Sequence, residues 1–312
     1  MTVTRSIEIE EFKRLVELAV SSSNIISNLF SGFSVAQSDR LSVRLHLLCS
    51  DGVGRPNIGE LVKALAGAIL QYCIPRTKLL QARDNSNNND FIQIGMLHND
   101  ARSMFTDLEN SGEGGELLLY LLCQNVLKYT QAVSKMSLKT SSQVHFHGLD
   151  GIYTSVCPNK NQIRLHYGES KLHDNFANAL RECMASISPM LDDQGGLAKS
   201  KRDLFLINNH SDLGDPDLTK ALINFLDPQH EDYMSHETCA VLLVGFNVNN
   251  YPRIKPKAKI DWSVIEKLRI NTNLIDKNIS KNGIGNFHIN LFLLPFESVG
   301  DFRSNLKTAM GL

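Results

Sequence analysis

The sequence lacks the features that mark several large classes of protein. None of its six cysteines lies in a C-x-x-C pair, which argues against a zinc ribbon and against a disulfide framework. No apolar run approaches the roughly 18 residues that a membrane span needs, and the N-terminal residues lack the apolar core of a signal peptide. These absences predict a cytoplasmic protein with reduced cysteines and no membrane contact.

The chain also lacks an excess of charge of either sign. Its 32 lysines and arginines offset 33 aspartates and glutamates, which leaves a formal net charge of −1. We therefore expect that any nucleic-acid binding depends on a local basic patch or on help from a partner.

One local basic row is present in the segment YPRIKPKAKI. Four basic residues alternate there with other residues: Arg253, Lys255, Lys257 and Lys259. Pro252 and Pro256 disfavour a helix, and an extended chain would place all four basic side chains on one face. Three interpretations remain open: contact with a nucleic-acid backbone, docking of a partner, and a solvated connector.

Helix-like and strand-like patterns alternate along the chain and predict a mixed α/β protein. Helices are predicted at 8–20, 58–73, 112–135, 174–192, 216–227, 263–280 and 300–310. Strands are predicted at 41–49, 143–147, 151–157, 163–171, 203–208, 239–248 and 287–295. The polar run 84–90 predicts an exposed loop. We place a boundary near residue 105, between an N-terminal accessory α/β region (1–105) and a second region (106–312).

Two carboxylates and a lysine are predicted to meet at one end of a hairpin. Glu169 and Lys171 end the strand 163–171, and residues two apart in a strand point to the same face. The turn before that strand centres near residue 160, so folding there brings Asp150 opposite about position 170, to within one residue. Opposed Cβ atoms lie roughly 5 Å apart, so Asp150 should approach both side chains.

Such a set of side chains has a chemical use. Paired carboxylates offer the hard oxygen ligands that suit Mg²⁺, with Mn²⁺ as the alternative. The nearby Lys171 can orient an attacking water and offset developing negative charge. The predicted reaction is therefore hydrolysis of phosphodiester bonds. The alternative is a cross-strand ion pair on a solvated face that has no function.

Glu116 is a further candidate because it lies in a strongly apolar predicted helix. A carboxylate in such surroundings is costly unless it is paired or bound to metal. A first-turn glutamate that the helix dipole favours is the equally weighted interpretation.

Two other patterns are better explained without chemistry. His145 and His147 share a strand face and could approach His166, but satisfied or surface histidines explain them better than a zinc site. The glycines around Val53 lack the third glycine of a dinucleotide loop, since Asn57 occupies its place.

Four segments carry a resemblance to a known family: LVKALAGAILQYCIP (61–75), GEGGELLLYLL (112–122), FHGLDGIY (146–153) and RLHYGESKLH (164–173). The sequence resembles the HamA nucleases of Hachiman antiphage defence systems, which belong to the PD-(D/E)xK superfamily. The resemblance implies a restriction-endonuclease-like core, a mixed sheet flanked by helices, with N-terminal and C-terminal α/β elaborations. The nuclease region with its C-terminal extension then occupies 106–312.

The resemblance also implies roles for single residues. Asp150, Glu169 and Lys171 correspond to the catalytic set, and Asp150 and Glu169 to its metal ligands. Glu116 corresponds to a helix glutamate that some members add to the metal shell. The proline of the "PD" dipeptide is absent here, since Leu149 precedes Asp150.

DNA as substrate and a HamB-type superfamily 2 helicase as partner are further implications of the resemblance. The helicase would sense DNA and restrain or release the nuclease. Two alternatives stay open: a non-catalytic, nuclease-like adaptor that binds and regulates a helicase, and a nuclease that acts on RNA.

Overall fold

The computed structural model describes residues 7–18, 25–86, 91–109, 111–134, 136, 149–157, 160, 162–191 and 204–312. The helices are α1 Ile9–Leu18, α2 Ile25–Leu29, α3 Ile58–Cys73, α4 Arg76–Ser86, α5 Ile92–Ser103, α6 Glu113–Leu122, α7 Phe176–Leu191, α8 Pro216–Leu226, α9 Trp262–Lys267, α10 Asn273–Lys281 and α11 Val299–Met310. The strands are β1 Phe30–Gln37, β2 Leu41–Leu48, β3 Thr130–Ser134, β4 Gly151–Val156, β5 Ile163–His173, β6 Glu237–Asn247 and β7 His288–Phe296.

The strands form one mixed sheet in the order β1-β2-β7-β6-β5-β4-β3. The central strands β2, β7, β6 and β5 run parallel to one another. The outer pairs β1–β2, β4–β5 and β3–β4 are antiparallel. The sheet thus joins β1 and β2, from the predicted N-terminal region, to the strands that follow residue 105. The mixed α/β class is confirmed.

Helices cover both faces of the sheet. On one face α7 packs against β5 and β6, and on the other face α6 packs against the same two strands with α3 and α11 beside it. Because β6 is covered on both sides, its residues 239–246 are all buried and almost all apolar. Such a continuous apolar run is typical of a central parallel strand.

Two of the absences noted in the sequence have structural counterparts. All six cysteines are buried, and none forms a disulfide bond. Among the described residues no single helix combines the length and apolar character of a membrane span, and α3 and α4 would do so only as a pair bent by 104°.

Most predicted elements are confirmed, but the helix predicted at 112–135 is too long. After α6 the chain makes a π-helical turn, Cys123–Leu127, and Lys128 then adopts a left-handed conformation with φ 58°. The chain leaves the helix there and continues as β3. The apolar character persists because β3 is covered as well, so composition alone did not show the change of structure.

Two further predictions were wrong in detail. The strand predicted at 203–208 is helical over 204–210, because a short apolar run does not distinguish a buried strand from a buried helix. The helix predicted at 263–280 is divided into α9 and α10, with Arg269 between them at φ 54°. The strand predicted at 143–147 lies outside the described residues.

Candidate active site

The hairpin of β4 and β5 ends where the candidate residues meet. Gly151 pairs with Gly168, so Asp150 lies beside Glu169 rather than opposite position 170, within the one-residue margin of the prediction. The amide N–H of Asp150 donates to the carbonyl of Gly168 at 2.9 Å. Since β4 begins at Gly151, residues 169–173 extend past its end on that side.

Ser170 holds the Asp150 carboxylate in place. Both its backbone N–H, at 2.7 Å, and its hydroxyl, at 2.6 Å, donate to Oδ2 of Asp150. Asp150 is 4% exposed, so these two bonds replace water for one carboxylate oxygen. Sequence reasoning missed Ser170, because only the register of the hairpin shows that it lies next to Asp150.

Glu169 and Lys171 share one face of β5, as their spacing predicted. Odd-numbered residues earlier in the strand, Leu165 and Tyr167, belong to the core under α7, so the pair lies on the α7 face. The Lys171 ammonium forms an ion pair with Oε1 of Glu169. Glu169 is 2% exposed, whereas the Lys171 side chain is 30% exposed.

Lys171 remains a cation in this setting. Burial by itself lowers the pKa of its ammonium, but the charge and hydrogen bond of Glu169 and the charge of Asp150 outweigh it, and the pKa is raised. The ammonium is therefore suited to stabilising negative charge and orienting a water, not to acting as a base at neutral pH. The same couplings show that Asp150, Glu169 and Lys171 lie close together.

Glu116 lies on the other face of the sheet, on α6. It is 3% exposed, and its Oε2 accepts a hydrogen bond from the Tyr72 hydroxyl at 3.2 Å. Burial, followed by the charges of Glu116, Tyr153 and Asp150, raises the Tyr72 pKa well above its usual value. One buried phenol thus lies within electrostatic range of both Glu116 and Asp150, which links α6 to the hairpin.

An opening of about 200 Å³ lies at the end of β5. Its walls combine the start of α6 with the last residues of β5 and one residue of α11: Ser111, Gly112, Gly115, Ser170, Lys171, Leu172, His173 and Arg303. Gly112 provides no side chain to cap the N–H groups of α6. The N–H of Glu113 donates to the Ser111 hydroxyl at 3.3 Å instead, and the cations Lys171 and Arg303 at the wall of the opening favour a phosphate group.

A family comparison identifies the chain. The HamA family model matches residues 24–310, a span that contains every candidate residue. The chain belongs to the HamA family. It is accordingly a component of a Hachiman antiviral defence system. No curated protein matches the sequence.

The carboxylates of this HamA protein have the chemistry that a magnesium ion needs. Among the described residues, no three His, Cys, Asp or Glu side chains are already arranged to hold a metal. Mg²⁺, however, commonly takes only one or two carboxylates and completes its shell with waters and phosphate oxygens. Asp150 and Glu169, at adjacent positions and both buried, meet that smaller requirement.

One of the three histidines considered as zinc ligands, His166, lies in the described part of the chain, away from this site. His145 and His147 lie outside the described residues. His166 lies three residues before Glu169 on β5, where its Nε2 contacts the Ser155 hydroxyl at 2.8 Å and its ring stacks on Tyr129.

The basic row of this HamA chain is exposed but is not one extended strand. Its four side chains, Arg253, Lys255, Lys257 and Lys259, are all exposed. Lys257 lies in a turn at φ 59°, so the expected single straight face is wrong. The segment follows β6, and Ile254 exchanges hydrogen bonds with Ser50 after β2. The row therefore lies at the carboxyl ends of the parallel strands, towards which β5 carries Glu169 and Lys171.

Proposed function

We propose that this HamA-family protein is a metal-dependent endonuclease that hydrolyses DNA phosphodiester bonds during antiphage defence. The observation that carries the proposal is the meeting of Asp150, Glu169 and Lys171 where β5 extends past β4. Two buried carboxylates beside one lysine provide ligands for Mg²⁺ or Mn²⁺ and a cation for the phosphate.

The order of elements around the site supports a PD-(D/E)xK core. The chain runs α6, β3, β4, β5, α7 and then, after a helical insertion that includes α8, β6. This is the helix, three-strand, helix, strand order that the sequence pattern predicted. Among the described residues the first strand of the three is β3, and the fourth is β6, because the segment predicted as a strand at 203–208 is helical over 204–210.

Each side chain has a defined task in the proposed reaction. Asp150, oriented by Ser170, and Glu169 would hold the metal ion, which lowers the pKa of a bound water and stabilises charge on the phosphate. Lys171 would orient the attacking water and offset the negative charge that develops. The opening beside β5 would receive the phosphate beside Lys171 and Arg303.

Cleavage assays with the purified protein test the proposal. Plasmid, single-stranded DNA and RNA are incubated with Mg²⁺ or with EDTA, with and without the helicase partner. Lys171→Ala and Glu169→Ala should each reduce the rate by several orders of magnitude while the thermal melt stays cooperative. Lys63→Ala, which removes an exposed lysine from α3, is the control. Full activity in folded Lys171→Ala would exclude the site, and cleavage of RNA alone would replace the substrate.

The second candidate function is a non-catalytic adaptor that binds a helicase. It is supported by one observation: among the described residues, no three side chains are arranged to hold a metal ion. An adaptor would cleave none of the substrates with any metal, yet would still co-purify with the helicase. We propose a superfamily 2 helicase of the HamB type as the partner in either case.

A further inference from the structure

A second polar cleft lies away from the candidate active site, at the amino ends of the parallel strands. Its volume is about 360 Å³, within the usual range for sites that bind small molecules. The residues that line it come from the end of β1, from the β1–β2 turn, which includes the carboxylate Asp39, from β2, β5 and β7, and from the segments before β3 and after β4. None of them lines the opening at the end of β5. Its His166 lies about 10 Å before Glu169 along the strand.

Three arginines reach this cleft: Arg40, Arg44 and Arg164. Arg164 has a carboxylate partner, since it forms an ion pair with Glu237 at 2.6 Å. The hydrogen bonds of the other two arginines go to neutral oxygens: Arg44 donates to the Asn290 side chain at 2.9 Å, and Arg40 donates to the Asn286 carbonyl. Burial lowers the pKa of Arg44, which shows that its charge lacks full compensation among the described residues.

His166 provides an independent sign that a ligand binds here. The residue lines the cleft and is 1% exposed, and within the described part of the chain its Nδ1 has no hydrogen-bond partner. Burial, with Arg164 and His288 nearby, lowers its pKa to about 3, so the ring is neutral at physiological pH. Nε2 contacts the Ser155 hydroxyl at 2.8 Å, and in the tautomer that accepts a hydrogen bond there, Nδ1 carries a proton that is left to donate to a ligand.

We infer that this cleft binds a phosphate group, carried by a small molecule of nucleotide size or by the end of a nucleic-acid strand. Arginine forks match the oxygens of phosphate, and two of these arginines have no carboxylate partner among the described residues. Asn290 connects Arg44 to the Tyr129 hydroxyl and positions the guanidinium at the cleft wall. The small volume of the cleft favours a single phosphorylated group over a long duplex surface.

Calorimetric titrations can test the site without relying on cleavage. The protein carries Lys171→Ala, EDTA is present, and the probes are inorganic phosphate, adenosine monophosphate and a short 5′-phosphorylated DNA strand. Arg44→Gln and Arg40→Gln should each weaken binding by about tenfold or more, because each removes a charge-assisted hydrogen bond. Arg83→Gln, the same change at an exposed position of α4, is the matched control and should leave affinity unchanged.

The choice of probe identifies the source of the phosphate. Binding of the mononucleotide supports a small ligand, and binding of the strand alone supports a strand end. If none of the three probes binds saturably below about 1 mM, or if Arg83→Gln weakens binding as much as Arg44→Gln, the inference is overturned. Should Arg44→Gln fail to melt cooperatively, Arg40→Gln at the exposed rim decides the result. Failure of the proposed nuclease activity would leave these titrations unaffected.

Discussion

At the scale of single residues, the candidate carboxylates depend on neighbouring side chains to which the proposed reaction assigns no step. Ser170 directs two hydrogen bonds to one oxygen of Asp150, and Tyr72 donates to Glu116 from within electrostatic range of Asp150. These contacts keep buried carboxylates in fixed positions, which a metal site requires of its supporting residues. The positions of the Asp150 and Glu116 carboxylates therefore depend on the hydrogen bonds that Ser170 and Tyr72 donate to them.

The role of Glu116 can be separated from a helix-dipole effect. Glu116→Gln should raise the Mg²⁺ concentration needed for half-maximal cleavage by about tenfold or more, if the carboxylate contributes to the metal shell. Glu60→Gln, at the exposed first turn of α3, removes a dipole-favoured glutamate without touching the site.

Metal titrations of cleavage, with thermal melts of both variants, measure the difference. A lower melting temperature in Glu116→Gln, together with a rate that no Mg²⁺ concentration restores, would assign Glu116 to the fold instead.

His46 should make stability depend on pH. Burial, with Arg44 nearby, lowers its pKa from 6.5 to about 4, so the unfolded chain takes up a proton first as the pH falls. The stabilising contribution is complete above pH 6.5 and is lost as the pH falls towards 4. At pH 5 the loss is about 2 kcal/mol.

Urea unfolding at pH 7 and pH 5 measures this effect. His46→Leu should reduce the difference between the two pH values, whereas His98→Leu, at a partly exposed position of α5, should not. An unchanged pH dependence in His46→Leu would remove His46 as the cause.

The spacing of Glu169 and Lys171 allowed their shared face to be predicted, because strand alternation is local. The residue of β5 that lies beside Asp150 could be predicted only to within one position, because the register of a hairpin depends on the turn between its strands. Ser170 and Tyr72 could not be predicted at all. Their contacts join residues 20 and 44 positions apart, and no local pattern encodes such pairs.

At the scale of elements, local signals decided which predictions succeeded. Helix α3 was predicted with its observed bounds, because a Gly/Pro turn precedes it and Pro75 follows its end. In the structure the Asn57 side chain caps its start. The end of α6 was missed because the left-handed turn falls on Lys128, and lysine carries no sequence signal for positive φ. Glycine or asparagine would have indicated a turn there.

The packing of α6 on β5 leaves no room for a methyl group at Gly115. A Cβ there would lie 2.5 Å from Leu172 Cδ1 and 3.0 Å from Ser170 Oγ. Gly115→Ala should therefore displace the Leu172 side chain and shift Ser170, lower the cleavage rate and destabilise the fold by about 1–3 kcal/mol. Gly67→Ala is the matched control, because a Cβ in that part of α3 meets nothing within 4 Å.

The control should be neutral or stabilise the helix by up to about 1 kcal/mol. Denaturant midpoints and cleavage rates check both variants. Equal stability and equal activity in the two would show that the close approach of α6 to Ser170 does not matter.

The basic row after β6 should contribute to binding of DNA. Reversing Lys255 and Lys257 to Glu should weaken affinity and reduce the slope of log affinity against log salt by about 0.9 for each phosphate group that the protein no longer neutralises. The metal requirement should not change. Fluorescence anisotropy across a salt series measures the slope, and reversal of the exposed Lys277 and Lys281 in α10 is the control.

Unchanged DNA affinity across the series, combined with a failure of the helicase to co-purify, would reassign the row to the partner interface.

At the scale of the whole molecule, one sheet connects two polar regions. The carboxylates and the basic row lie towards the carboxyl ends of the parallel strands, and the arginine cleft lies at their amino ends. Both regions are local concentrations of charge in a chain whose net charge is −1. Long-range attraction of DNA by the protein as a whole is therefore weak, and delivery of the substrate must come from local contacts or from a partner.

We therefore expect that a helicase partner controls the proposed nuclease. A nuclease without sequence specificity would cut host DNA unless it were restrained, and the HamA family resemblance supplies a superfamily 2 helicase for that task. Expression of the nuclease alone should reduce host DNA and viability, and co-expression with the helicase should restore both. Lys171→Ala should be harmless without the helicase, because the proposed chemistry depends on that ammonium.

Phage plating on cells with both proteins, and on cells that lack the helicase, measures protection. Protection that survives deletion of the helicase would refute the two-component mechanism while leaving the cleavage site untouched.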